Sequence, residues 1–232
     1  MASFGLSTPV PYVELHAHSA YSFLDGASLP AELAEQARTL GHAAFALTDH
    51  DSVAGSMEFA HAARAAGIAA IHGAEVTVRR SVLPPVHQED AGALATPGIG
   101  AGLRRGVGVP AREEHLTLLV ESRAGWQSLC RLLTHAHAHT RDHPQRQRTE
   151  PSVTLEQVAE HAEGLICLSG CASHGVEDRA RLGMLLEAFG RDGLRIELQR
   201  PYARDDRTRI RHRRRLAAQL GVEAVVTGNV HA

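Results

Sequence analysis

The chain has 232 residues, of which 44% are apolar and 22% charged, which is typical of a folded globular protein with one large domain or two small ones. Its formal net charge of −2 excludes a general electrostatic attraction to nucleic acid or to acidic membranes. The sequence has three cysteines, no secretory signal in residues 1–11 and no apolar run near the roughly 20 residues that span a bilayer, so we predict a cytoplasmic protein without a membrane partner.

Short apolar runs rich in Val, Leu and Ile alternate along the chain with longer amphipathic stretches. This βαβα rhythm is typical of a parallel sheet or barrel. Seven strands are predicted, at Tyr12–His18, Ala43–His50, Ala69–Val78, His115–Glu121, Leu165–Cys171, Leu194–Gln199 and Ala224–His231. Six helices are predicted, near residues 28–40, 54–66, 124–138, 154–162, 177–190 and 205–220. The pattern predicts one α/β domain over residues 12–232, preceded by a short tail, residues 1–11.

Two segments stand out from this rhythm. Residues 83–112 contain four prolines and six glycines, a composition that predicts a flexible surface loop inserted after the third predicted strand. Residues 200–215 are rich in arginine, which predicts a solvated helix face, a contact with DNA phosphates or a contact with further protein domains.

Side chains that bind metals recur on the predicted strands, most of them near the carboxyl ends. In the first strand His16 and His18 are two residues apart and therefore face the same side. The other candidates lie in or after the strands: Asp25, Asp49, His50, His72, Glu75, His115, Cys171, Glu197, Asn229 and His231. Barrel enzymes assemble their sites at this end. Mixed nitrogen, oxygen and sulfur donors favour zinc, iron or manganese over calcium or magnesium, so the pattern predicts a multinuclear metal site.

Three strings carry a resemblance to a known family. They are HAHSAYSFLDGA at residues 16–27, ALTDHD at residues 46–51 and GAE at residues 73–75. Together they resemble the polymerase and histidinol phosphatase (PHP) domain at the N-terminus of bacterial DNA polymerases, and within that group the error-prone DNA polymerase III alpha subunits. Later segments agree, among them HLTLL at residues 115–119 and LSGC at residues 168–171, so the resemblance covers nearly all of residues 12–231.

The resemblance implies a distorted, seven-stranded, TIM-like (β/α)7 barrel, here with its final helix missing, that holds up to three divalent metal ions. It implies as metal ligands the residues His16, His18, Asp25, His50, Glu75, His115, Cys171 and His231. It also implies that Glu75 bridges two ions and takes part in catalysis together with Asp49, a carboxylate that orients a ligand imidazole. Glu197 lies in a stretch that the family shares, but it is not predicted to be a ligand.

The last motif departs from the family pattern. The family usually has Asp-x-His, whereas this chain has Asn229-Val230-His231. Asn229 can offer a neutral oxygen to a metal ion but neither a negative charge nor a base. We therefore predict that one metal position is weakened or empty and that hydrolytic activity is reduced.

Three functions remain open from the sequence. The first is the PHP module of an error-prone DNA polymerase, a phosphoesterase or 3′–5′ exonuclease site whose partners are a primer 3′ end and polymerase domains absent from this chain. The second is a free-standing PHP phosphatase that acts on histidinol phosphate or nucleotides, and the third is a scaffold without catalysis. A barrel without its closing helix is also expected to expose apolar surface and therefore to be marginally stable or to self-associate.

Overall fold

The computed structural model describes residues 12–79, 113–140 and 150–231. The predicted tail, residues 1–11, and the predicted loop, residues 83–112, lie outside the described residues. The longest helices in the described ranges have 15 residues, and none of them is long and apolar enough to cross a membrane.

The described residues form one curled six-stranded sheet with helices packed against it. The strands lie side by side in chain order: β1 (Ala44–Leu47), β2 (Ala69–Val78), β3 (Glu114–Val120), β4 (Leu165–Leu168), β5 (Leu194–Leu198) and β6 (Ala224–Val226). The helices are α1 (Pro30–Thr39), α2 (Ser56–Ala66), α3 (Arg123–His137), α4 (Leu155–Glu160), α5 (Arg179–Gly193) and α6 (Asp206–Leu220). All six predicted helices are present, with bounds close to those predicted.

Strand β3 runs against the direction of its neighbours. The pairs β1–β2, β4–β5 and β5–β6 are parallel, but β3 is antiparallel to both β2 and β4. The prediction of a parallel sheet is wrong at this strand, because apolar periodicity is the same in either direction of the chain. The register places His115 opposite Thr77 and Thr117 opposite Glu75. The start of β3 therefore lies beside the carboxyl end of β2.

The first predicted strand, Tyr12–His18, is not a regular strand, although its backbone bonds on both sides. Towards β1, the amide of Ala46 donates to the carbonyl of Glu14 at 2.8 Å. Towards the end of the described chain, the amide of Val230 donates to the carbonyl of His16 at 3.0 Å. This segment brings its two histidines to the same end of the sheet as the carboxyl ends of the parallel strands.

Side-chain caps explain where several helices begin. The Oγ atom of Ser122 accepts a hydrogen bond from the amide of Gly125 at the start of α3. Thr154 and Gln157 exchange hydrogen bonds at the start of α4, in the reciprocal pattern of a capping box. Each cap satisfies backbone groups that the first helical turn leaves without partners, which stabilises a helix by about 1 kcal/mol.

Two apolar cores attach the helices to the sheet. The larger core joins β2–β5 to α3–α6, and the smaller one joins β1 to α1 and α2. A third, small cluster formed by Ala46, Leu119 and Leu168 packs separately from these two. Full burial of one leucine side chain contributes roughly 1.5–3 kcal/mol relative to exposure. These cores fix the positions of the strand ends.

One arginine of the arginine-rich segment is buried rather than solvated. The guanidinium of Arg213, on α6, is 2% exposed and donates to the carbonyls of Gly170, Cys171 and Glu197 at 2.8–2.9 Å. It also pairs with the carboxylate of Glu177 at 2.8 Å. For this residue the predicted solvated face is wrong, and the side chain instead holds the loop after β4 against the end of β5.

Candidate metal centre

The carboxylate of Glu75, near the carboxyl end of β2, lies at the middle of a cluster of imidazoles. Its Oε2 atom is 3.1 Å from Nε2 of His50, 3.3 Å from Nε2 of His18 and 3.6 Å from Nε2 of His16. Its Oε1 atom is 3.2 Å from Nδ1 of His115. The antiparallel direction of β3 explains why a residue at the start of that strand reaches a carboxylate at the end of β2. One carboxylate is thus shared by imidazoles from several parts of the chain.

His16 is fixed from behind by a second carboxylate. Its Nδ1 atom is 2.6 Å from Oε1 of Glu197, a fully buried residue on β5, and 3.1 Å from Oγ1 of Thr117. Its Nε2 atom faces the cluster, 3.1 Å from Nε2 of His18. A carboxylate behind a ligand imidazole fixes the tautomer and the orientation of the ring. Glu197 lies in this supporting position.

The open side of the cluster is formed by Asp25, His50 and His231. The carboxylate of Asp25 is 3.1 Å from Nε2 of His50 and 2.9 Å from Nδ1 of His231. The rings of His18 and His231 stack, with their centroids 4.6 Å apart. The loop that follows Tyr12–His18 and the end of the described chain therefore meet at the edge of the same cluster.

A sulfur donor lies on the other side of His115. The Sγ atom of Cys171, in the loop after β4, is 3.9 Å from Nδ1 of His174 and accepts a hydrogen bond from the amide of His174 at 3.3 Å. The rings of His115 and His174 have centroids 5.0 Å apart. Sequence reasoning missed His174. The Cys-x-x-His spacing could have indicated it, but a chain with 16 histidines offers many such coincidences.

Asp49 lies behind the cluster. Its Oδ1 atom accepts hydrogen bonds from the amide of Ser19 at 2.6 Å and from Oγ of Ser22 at 2.8 Å. The same Oγ atom of Ser22 is 3.3 Å from Nδ1 of His18 and accepts from the amide of His50 at 3.0 Å. Among the described residues, Ser22 thus links the carboxylate of Asp49 to the imidazole of His18.

Two further sequence candidates have different surroundings. His72, on β2, packs its ring edge-on against Phe59 and Trp126. It is in none of the groups of neighbouring metal donors that the described residues form. Asn229 adopts a left-handed backbone with φ of 52°, next to His231. His72 thus faces the helices, whereas Asn229 lies in the turn that places His231 at the cluster.

Charge within the cluster shifts the pKa values of two imidazoles. Burial alone would lower the pKa of His16, but the carboxylates of Glu197 and Glu75 raise it well above its ordinary value. Burial also disfavours the charged form of His115, but contacts with Cys171 and Glu75 raise its pKa to about 10. The protonated rings neutralise the negative charge of the buried carboxylates, and a bound cation would neutralise that charge instead.

The residues present fit divalent metal ions. Buried atoms Asp25 Oδ2, Glu75 Oε1 and Asn229 Oδ1 make no hydrogen bond among the described residues. Buried polar atoms without partners are costly, by about 1–3 kcal/mol each, unless an ion or water satisfies them. Within the part of the chain that the structure describes, the donors form four groups, each with donor atoms within 4.8 Å of one another: His16, His18 and Glu75; His50, Glu75 and His115; His18, Asp25 and His231; His115, Cys171 and His174.

Known proteins similar in sequence are long DNA polymerase chains. The family model of the PHP domain matches residues 14–201. The error-prone DNA polymerase of Mycolicibacterium paratuberculosis is 35% identical over an alignment of 233 positions, gaps included. The alignment covers 96% of this chain and 19% of the polymerase. The DNA polymerase III subunit alpha of Treponema pallidum is 33% identical over an alignment of the same length, which covers 95% of this chain and 18% of the subunit. The chain thus spans about a fifth of the length of these relatives.

Two solved structures share the fold. A proposed metal-dependent phosphoesterase from Bifidobacterium adolescentis superposes with a TM-score of 0.63 and 16% identity, over 97% of this chain and 90% of that one. An amidohydrolase from Chromobacterium violaceum superposes with a TM-score of 0.60 and 19% identity, over 95% of this chain and 87% of that one. At such low identity these likenesses describe the fold alone.

Proposed function

Since the chain belongs to the PHP domain family, we propose that it is the N-terminal metal-binding module of an error-prone DNA polymerase III alpha subunit. In this proposal its site is of the phosphoesterase or 3′–5′ exonuclease type and acts on the phosphodiester at a primer 3′ end. The polymerase relatives support the assignment, because the chain matches them over almost its whole length. The rest of such a polymerase would supply the DNA.

The observation that carries this proposal is the Glu75 carboxylate, which the imidazoles of His16, His18, His50 and His115 surround at 3.1–3.6 Å. A carboxylate placed between imidazoles on both of its oxygens suits two neighbouring cations. We propose up to three ions of the zinc, iron or manganese kind, because the donors include nitrogen, oxygen and sulfur. When bound, a pair of such ions activates water and stabilises the leaving oxygen of a phosphodiester.

The residues of the chain would divide the remaining tasks. Glu197 holds the ring of His16 so that Nε2 faces the cluster. Asp49 holds Ser22, which contacts His18, so its proposed part in catalysis is indirect. We further propose that Tyr12–His18 serves as a seventh strand that closes a TIM-like barrel. The carboxyl-end face of that barrel would then admit the DNA end beside Asp25.

The presence of Asn229, where the family usually has an aspartate, supports a weakened site. A carboxylate at this position would add a negative charge next to His231, whereas the amide offers only a neutral oxygen. We therefore propose that one of the ions binds loosely and that hydrolysis is slow. A slow exonuclease is compatible with an error-prone polymerase, because removal of mismatches would oppose its task.

The remaining assignments also follow from the polymerase relatives. We propose that the module works in the bacterial cytoplasm and contacts DNA through the rest of the polymerase. The three free cysteines agree with a reducing compartment. Self-association of the chain stays a prediction, which sedimentation velocity over a range of concentrations tests directly.

A nuclease assay on the metal-loaded chain tests the proposed function. The purified chain is stripped with a chelator, reloaded with Mn²⁺ or Zn²⁺, and incubated with a labelled primer that carries a 3′ mismatch. We expect slow, metal-dependent removal of the terminal nucleotide. The Glu75→Gln variant is expected to lose this activity, and His61→Gln, on the exposed side of α2, is the matched control and is expected to keep it.

The outcomes separate the three candidate functions. Hydrolysis of nucleotide monophosphates or histidinol phosphate without action on DNA would indicate a free-standing phosphatase. A chain that binds the metal ions but hydrolyses neither class of substrate would indicate a scaffold. Equal activity of the wild type and Glu75→Gln would contradict the proposed site itself.

A further inference from the structure

One face of α6 carries four arginines for which the proposed function has no role. They are exposed, and at 3.6 residues per turn they fall within about a third of the helix circumference. The opposite face of α6 is buried in the larger apolar core through Leu216 and Ala217. We call the four residues the arginine stripe: Arg207, Arg211, Arg214 and Arg215.

The arginine stripe has no partner for its charge among the described residues. Arg209, His212 and Arg213 make the ion pairs of α6 there, and the stripe makes none. Arg211 lies three or four residues from each of the other three arginines, and like charges at this spacing destabilise a helix. Arg207 is also in the first turn, where the helix dipole disfavours a cation. An anion bound from outside would relieve both effects.

We propose that the arginine stripe binds the phosphates of single-stranded DNA and that the ring of Tyr202 stacks on one of its bases. This inference rests on the proposed function, to which it adds a direct contact between this domain and the strand that ends at the metal centre. Arginine suits a phosphate because its planar guanidinium can donate two parallel hydrogen bonds to the oxygens. The whole chain has a net charge of −2, so the attraction is local to this face.

The exposed ring of Tyr202 favours DNA over an acidic protein as the partner. This ring is 85% exposed, and the guanidinium carbon of Arg200 lies 5.2 Å from its centroid. The backbone of Tyr202 has φ of 62°, in the left-handed region that residues with a side chain rarely adopt. Unpaired bases stack on aromatic rings beside guanidinium groups. A surface rich in carboxylates would have no such use for the ring.

The loop that carries Tyr202 begins at the metal cluster. Nε2 of Gln199 donates to Oε1 of Glu197 at 2.7 Å and is 3.4 Å from Nδ1 of His16. Tyr202 follows three residues later, and three residues span at most about 11 Å. Helix α6 then connects the end of β5 to the start of the parallel strand β6, so the stripe begins at the cluster end of the sheet. A strand whose 3′ end lies at the cluster can continue past Tyr202 to the stripe.

Arg213 fixes the stripe relative to the cluster. From the buried face of α6 it donates to the carbonyls of Gly170 and Cys171, in the loop after β4. From Arg207 to Arg215 the helix rises about 12 Å. With one phosphate per about 3.4 Å of rise in a stacked strand, this length matches roughly three or four phosphates.

DNA binding by the metal-loaded, 232-residue chain tests the inference. The probe is a fluorescent oligothymidine of about 12 nucleotides, whose last linkage is a phosphorothioate that resists hydrolysis. Its anisotropy is followed at several salt concentrations. Four phosphate contacts predict a slope of about −3 in a plot of log affinity against log salt concentration. Affinity is therefore expected to fall roughly 50-fold between about 50 and 200 mM salt.

A pair of quadruple variants separates the stripe from net charge. Changing all four stripe arginines to glutamine is expected to bring the salt slope close to zero and to weaken binding at least about 10-fold at the lowest salt concentration. This variant should unfold at a temperature no lower than the wild type, because the repulsion within the helix is removed. The matched control loses the same charge from exposed arginines on α1, α2 and α3 and is expected to keep the wild-type slope; it changes Arg38, Arg64, Arg123 and Arg131 to glutamine.

Substitutions of Tyr202 test the stacking contact. Tyr202→Ala is expected to weaken binding of oligothymidine at least about 5-fold without a change in the salt slope, because the lost contact is not ionic. Tyr202→Trp keeps an aromatic ring and is expected to restore the affinity. Poly-glutamate, an anion without bases, is expected to bind more weakly than oligothymidine and to be indifferent to Tyr202→Ala.

Three results would overturn the inference. The first is wild-type binding by the variant that lacks the stripe. The second is an equal loss in both quadruple variants, which would show that only net charge matters. The third is poly-glutamate binding as tight as that of oligothymidine together with no effect of Tyr202→Ala, which would identify the stripe as a surface for an acidic protein.

Failure of this inference can be told apart from failure of the proposed function. If the metal-loaded chain removes a mismatched 3′ nucleotide but binds oligothymidine equally well without the stripe, only the DNA surface is wrong. If oligothymidine binds through the stripe and no DNA is hydrolysed, the surface stands and the proposed hydrolytic function fails.

Discussion

The candidate metal cluster has two sides that differ in burial and in the residues that support it. We define the inner side as His16, His18 and Glu75, and the rim as Asp25, His50 and His231. The inner side chains are at most 2% exposed, whereas those of the rim are 27–36% exposed. The inner side is therefore suited to holding ions firmly, and the rim is suited to meeting a substrate.

The two sides also differ in the residues behind them. On the inner side, Glu197 contacts His16 and itself accepts hydrogen bonds from Gln199 and Thr227. At the rim, Asn229 precedes His231, and its buried Oδ1 atom makes no hydrogen bond among the described residues. We propose that the inner side supplies affinity for the ions and that the rim supplies access to them. The following predictions test that division.

Loss of an inner imidazole is expected to have the largest effect. His18 belongs to two of the donor groups, whereas His231 belongs to one. We expect His18→Gln to lower the metal content by up to two ions and His231→Gln by at most one, as measured by elemental analysis after equilibration with Zn²⁺. Equal losses in the two variants would remove the distinction between the inner side and the rim.

Loss of the support behind His16 is expected to have the next largest effect. The Glu197→Gln variant keeps the size of the side chain but weakens the hydrogen bond that orients the imidazole. We expect metal affinity to fall by roughly 10–100-fold, measured by competition with a chromogenic chelator. Glu223→Gln, a change at an exposed carboxylate that pairs with Arg195, is the matched control. A similar loss in both variants would argue against a specific role of Glu197.

Metal uptake is expected to release protons. In the metal-free chain the raised pKa values of His16 and His115 keep these rings protonated near pH 7. Imidazoles bind metals in their neutral form, so apparent affinity should rise with pH towards pH 10, by up to about 10-fold per pH unit for each displaced proton. Calorimetry in buffers of different ionisation enthalpy counts the protons. Affinity independent of pH between 6 and 9 would contradict this expectation.

A carboxylate at the rim is expected to have the smallest effect. Asn229→Asp introduces a negative charge beside His231. We expect either one additional ion or an affinity gain of about 10-fold for the most weakly held ion, a size typical of changes in groups that support metal ligands. The same elemental analysis and a faster release of the mismatched nucleotide would report the gain. An unchanged metal stoichiometry and an unchanged rate of hydrolysis would show that the side chain of Asn229 does not limit metal binding at the rim.

Much of the fold and of the cluster could be predicted from sequence, because local signals set them. Strand periodicity placed β2 at its observed bounds, and glycines such as Gly67 and Gly221, both with left-handed backbones, mark the ends of α2 and α6. The spacing of His16 and His18 predicted that both rings face the same way, and they do.

Other features depend on long-range geometry and were beyond the sequence. The direction of β3 leaves no trace in its apolar pattern, so the reason that His115 meets Glu75 became visible only in the register. Arg213 looks like its arginine neighbours in sequence, yet it is the one that lies under the loop carrying Cys171. His174 reaches the cluster because a loop folds back, which single-residue spacing does not encode.

The antiparallel pairing of β2 and β3 also determines how the domain tolerates changes in length. Val78 and Glu114 are register partners, so the chain leaves the sheet and returns to it at adjacent positions. Because this pairing sets the register of β2 and β3, we expect residues inserted or deleted between these two points to leave the spacing of Glu75 and His115 unchanged. A new sequence grafted between these two points is therefore expected to leave the sheet as it is.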